Sequence, residues 1–137
     1  MREIYSTLNP SLLLCVIQRY SEFEINRTNL SPVEEYLQAA SLSFNSGQKF
    51  KAHRHKECIK QILITQEAWI IISGKILFTL YDINNLPIEE IILNTGDCVI
   101  TFNGGHSYEI IEDFTKVYEF KNGPYFGQDI DKEFIND

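Results

Sequence analysis

The chain has 137 residues, enough for one domain and short for two. Its 12 Lys and Arg against 19 Asp and Glu leave a formal charge of −7, which argues against a general nucleic-acid binder and against a polybasic membrane-surface protein. A hydrophobic fraction of 44% supports a real core and excludes a disordered chain.

The early apolar run Leu12 to Ile17 is too short for a signal peptide or a membrane span. The strand candidate around it, Leu12–Tyr20, has a Leu-rich start that a short helix would also explain. Ser31-Pro32-Val33-Glu34-Glu35 reads as a helical turn, with Ser as cap, Pro at the first position and acids in the first turn. Strands are then expected at Leu37–Phe44, Phe50–His55, Ile62–Ser73 and Lys75–Asp82, with Gly74 as a bulge or tight bend between the last two. Asn84-Asn85 breaks a hairpin whose return is Ile88–Leu93, and Asn94-Thr95-Gly96-Asp97 is a turn. Cys98–Phe102, His106–Ile111 and Lys116–Phe120 complete the set. About nine short strands at such spacings describe an all-β sandwich or barrel. The tail from Asn122 carries Tyr125, Phe126 and Phe134, which are expected to pack against the barrel or a second subunit.

Three cysteines, Cys15, Cys58 and Cys98, are odd in number and widely spaced, and no Cys-x-x-Cys occurs. That is unlike a secreted disulfide framework and points to a reduced, cytoplasmic protein.

The only histidines are His53, His55 and His106. On a strand, residues two apart share a face, so the imidazoles of His53 and His55 would converge on one ion. His106 follows Gly104-Gly105 and opens another strand. Glu67 lies in an Ile- and Leu-rich segment, where a carboxylate is costly to bury unless it is paired or metal-bound. Three imidazoles and a carboxylate suit one divalent transition metal such as iron, manganese, nickel or zinc, and suit calcium poorly. Cys58, near His55, is a further soft donor or an ordinary small hydrophobe.

These residues resemble the cupin superfamily. Its first motif is a Gly, five residues, His-x-His, three or four residues, Glu, six residues and Gly. Gly47, His53-Arg54-His55, Glu67 and Gly74 follow that order, with eleven residues between His55 and Glu67. Gln61, on the same strand parity as Glu67, is the fallback for the fourth ligand. The second motif begins with Gly and Asp and ends in Pro-x-Gly-x-x-His; here Gly96-Asp97 opens it and Phe102-Asn103-Gly104-Gly105-His106 closes it. Phe102 stands in place of the proline, and the histidine comes one residue early. The match covers roughly residues 37–120 of a single domain spanning 1–137. The resemblance implies a double-stranded β-helix, a jelly-roll-like barrel with a metal in its mouth, and pairing into a homodimer. Leu12–Tyr20 is a strand through which a partner's sheet could extend.

Around that mouth, Lys51 shares parity with the histidines and would meet an anionic group, while Trp69, Phe78, Tyr108 and Tyr118 would form an aromatic wall. Metal-centred isomerase, lyase or dioxygenase chemistry on a small molecule, a sugar or keto acid by analogy with the family, is one reading. A binding or sensing module and an interaction barrel with a vestigial site are the others. The expected partner is a small molecule, with no nucleic acid and no membrane.

Overall fold

The structure, a computed structural model, describes residues 1–135. It is built from ten strands: β1 (Arg2–Tyr5), β2 (Leu13–Gln18), β3 (Asn26–Asn29), β4 (Ala40–Ser43), β5 (Glu67–Ser73), β6 (Lys75–Tyr81), β7 (Pro87–Asn94), β8 (Cys98–Thr101), β9 (Gly105–Ile110) and β10 (Lys116–Lys121). A 3-10 turn at Tyr20–Glu22 and one short helix, α1 (Gln128–Asp131), complete the elements. The chain is therefore all-β.

The strands form three antiparallel sheets, ordered β1-β2-β8-β5-β10, β3-β4 and β7-β6-β9, which do not close into a barrel among the described residues. The largest core lies between the five- and three-stranded sheets, where Cys15, Ile17, Ile71 and Val99 meet Ile76, Phe78, Leu80 and Leu93. Strand β6 shows why: strict alternation buries Ile76, Phe78 and Leu80 and leaves the residues between them half-buried. Strand β2 is buried along its whole length. The outer face of the five-stranded sheet is covered by the β3–β4 hairpin, where Leu30, Leu37 and Ala39 pack on Leu13, Val16, Ala68, Ile100 and Phe102.

Several expectations are met. The bend at Gly74 has φ +89°, where an added Cβ would lie 2.8 Å from the Thr115 Cα, so only glycine fits there. Glu35 N–H closes a turn on the Pro32 carbonyl at 3.2 Å. Leu12–Tyr20 is a strand over Leu13–Gln18, not a helix.

Three expectations are corrected. Phe50–His55 is not a strand: residues 44–66 lie outside every strand, and 44–64 are exposed throughout. From Lys49 to Lys56 the only apolar residues are Phe50 and Ala52, among lysines, an arginine and histidines, so this part has no continuous face to bury. The strand expected from Ile62 begins only at Glu67, because the Asn122 side chain takes the Gln66 N–H at 2.6 Å ahead of the ladder. Strand β2 cannot extend a partner's sheet, since β1 and β8 flank it on both sides. The short β1 and the polar Asn26-Arg27-Thr28-Asn29 of β3 carry no apolar pattern and were not foreseen.

Candidate functional site

The sandwich opens at one margin, between β9 of the three-stranded sheet and β10 of the five-stranded sheet. Each is the last strand of its sheet. Side chains alternate, so pairing decides which ones face the opening. Trp69 and Glu67 on β5 stand opposite Glu119 and Lys121 on β10. His106 and Tyr108 on β9 stand opposite the buried Leu80 and Phe78 on β6.

Glu67 is the centre of this group. It is 6% exposed, with His106 Nε2 3.4 Å from one carboxylate oxygen and Lys121 Nζ 3.0 Å from the other. Burial alone would raise its pKa, but His106 and Lys121 outweigh burial and hold it down at about 2. Lys121 also reaches Glu119 Oε1 at 2.7 Å. Burial would lower the Lys121 ammonium, and the two carboxylates more than compensate, so its pKa is raised. The Trp69 and Tyr108 rings stack with centroids 3.7 Å apart and an interplanar angle of 9°. The indole Nε1 is buried without a hydrogen-bond partner, and the buried Tyr108 hydroxyl lies against the Glu67 carboxylate. Burial first, then the negative charges of Glu67 and Glu119, push the Tyr108 hydroxyl well above its ordinary pKa.

Beyond Lys121 a cavity of about 440 Å³ opens, lined by Thr65, Glu119, Lys121, Asn122, Tyr125 and Asp131 among others. The tail holds it in place. Asn122 is bonded to the Gln66 N–H and to the Ile64 carbonyl, and Thr65 donates to Asp131. Farther along, the tail returns to the start of β9, where an added Cβ on Gly105 would collide with Ile135.

Of the residues singled out from sequence, Glu67, His106, Trp69 and Tyr108 come together here. His53, His55, Lys51 and Gln61 do not, since all four lie on the exposed stretch. The rings of His53 and His55 are 5.6 Å apart, so their proximity is met without the strand. Tyr118 points away from Glu119 and Lys121 and is 61% exposed beside Phe120. In the tail, Tyr125, Phe126 and Phe134 are exposed, so within one chain they do not pack on the sheets, and a second subunit is the alternative left to them. Lys121 was missed: its inward parity with Glu119 was readable, but its pairing with Glu67 depends on strand register.

The four expected metal ligands are not gathered at one point. Only Glu67 and His106 of the four expected ligands meet, and the Lys121 ammonium already holds the second carboxylate oxygen. No group of three or more candidate ligands occurs among the described residues. What the cluster offers is a fixed negative charge, an imidazole and an ammonium around it, and an unpartnered indole N–H beside them. Burial pushes the Cys15 thiol up to about 12 and the Cys98 thiol to about 11, so neither serves as a nucleophile.

No protein-family description, curated protein or solved structure matches the chain. No helix among the described residues is long and apolar enough to cross a membrane.

Proposed function

We propose that the protein binds a small molecule at the β9–β10 mouth of a cupin-type, double-stranded β-helix sandwich and moves a proton on it, as an isomerase or lyase would. The observation that carries this reading is the buried Glu67 carboxylate with His106 on one oxygen and Lys121 on the other. Held ionised, Glu67 orients the imidazole, so that His106 takes a proton from a bound molecule and returns it. Lys121 keeps Glu67 ionised. The indole Nε1 is a donor that a polar ligand would satisfy.

The test is turnover of a panel of sugars and keto acids, monitored by exchange of substrate hydrogen with heavy water. Exchange by the wild type that is lost in His106→Gln supports the reading. Saturable binding without exchange would make the protein a carrier or sensor, and no binding would leave only the interaction barrel.

A second reading makes the protein a metal-dependent enzyme, with iron, manganese, nickel or zinc bound by His53, His55, Glu67 and His106. The Glu67–His106 contact favours it, as does the outer edge of β9, which pairs with no described strand and is open to a closing segment. When bound, the metal would supply Lewis-acid or dioxygen chemistry. Elemental analysis of the purified protein tests this reading: one metal per chain, lost in both His53→Ala and His106→Ala, would support it over the metal-free one.

A further inference from the structure

The formal charge of −7 averages two opposite regions. Five of the 12 Lys and Arg, but one of the 19 Asp and Glu, lie between residues 44 and 64, so this stretch carries +4 and the remainder −11. Every residue of the stretch is exposed. Among the described residues no ion pair joins Lys49, Lys51, Arg54, Lys56 or Lys60 to a carboxylate. No acid at all occurs from residue 36 to residue 56. The body of the protein therefore leaves this charge unneutralised.

The same stretch exposes large apolar side chains. Phe50 is 65% exposed, Leu63 84% and Ile59 99%. Cations alone would suit any polyanion. Aliphatic tips such as Ile59 and Leu63 gain nothing from a phosphodiester backbone but do gain from an acyl layer. Cations interspersed with apolar residues are the pattern of a segment that lies on an anionic lipid surface. Repulsion from the acidic body is screened beyond about 8–10 Å at ordinary salt.

We propose that residues 44–64 form a strap that docks the protein on anionic phospholipid. The proposal does not rest on the proton-transfer reading of the β9–β10 mouth; the metal-bound reading would instead draw His53 and His55 of this same stretch to that mouth.

The experiment is co-sedimentation of the full chain with vesicles of phosphatidylcholine alone and of phosphatidylcholine with phosphatidylserine. Binding should be confined to the anionic vesicles and should weaken as salt rises. Replacing Lys49, Lys51, Arg54 and Lys56 together by Gln should lower it about tenfold or more. The indole of an Ile59→Trp variant should shift to the blue on those vesicles only. All these positions are exposed, so thermal unfolding should match the wild type and shows that the variants fold. Equal partition onto both vesicles, or none onto either, would overturn the proposal. Retention by a single-stranded oligonucleotide without vesicle binding would also overturn it, assigning the strap to nucleic acid.

Discussion

Protonating Glu67 should unfold the protein in a predictable way. Its pKa is about 2 in the folded chain against an ordinary 4.5. A folded pKa below the unfolded one contributes stability that is complete above the unfolded value and is lost as pH falls toward the folded one. The difference corresponds to about 3 kcal/mol, present above roughly pH 5 and lost by about pH 2. Asp82 is also held at about 2, because hydrogen bonds from Ser6, Thr7 and Ile83 outweigh its burial, so the wild-type acid profile alone does not isolate Glu67. The comparison with Glu67→Gln does. Urea unfolding of both proteins between pH 6 and pH 2 should show the wild type losing about 3 kcal/mol relative to the variant. For a slope of ~1–3 kcal/mol per M, that is a relative midpoint shift of roughly 1–3 M. Lys121→Met should weaken the fold by about 2–4 kcal/mol at pH 7, because it strips one partner from a buried carboxylate. A difference curve that stays flat within about 0.5 kcal/mol from pH 6 to pH 2 would refute the claim that Glu67 is a paired, ionised group.

Tyr108→Phe removes a buried hydroxyl that lies against the Glu67 carboxylate, so it should lower stability by about 1 kcal/mol in thermal unfolding at pH 7; an unchanged midpoint would mean that the hydroxyl gives Glu67 no support. Gly74→Ala places a Cβ against Thr115 at a positive φ and should destabilise by about 2–4 kcal/mol in urea; a neutral effect would mean that the β5–β6 bend is not tight. Phe78→Ala opens the middle of the sandwich, where the ring is fully buried, and should lower stability by about 3–5 kcal/mol by calorimetry.

The parts of the fold readable from sequence are those rich in strand-forming residues between turn signals. Lys75–Tyr81 is rich in aliphatic and aromatic residues, and Gly74 and Asn94-Thr95-Gly96-Asp97 mark its ends and those of its partners, so β6 to β9 follow local rules. Strand β3 is polar and exists because Leu30 and Leu37 nearby need a face to cover, which is a tertiary cause. His53-Arg54-His55 has the spacing of a strand pair but lacks the apolar alternation that would hold a strand to a sheet. Within the site, Glu67 was legible as an acid among Ile and Leu, and His106 as a histidine after two glycines. Lys121 was not, because only register places it on Glu67.

We place the ligand of this protein at the Glu67 mouth. The most direct test uses the chain's single tryptophan, Trp69, whose indole Nε1 lies in the wall of that mouth without a partner. With the protein labelled with nitrogen-15, the indole signal should move when a binding small molecule is added, together with the signals of His106 and Lys121, and should not move in Glu67→Ala. A molecule that binds saturably while those three signals stay fixed would place the site elsewhere and contradict the account.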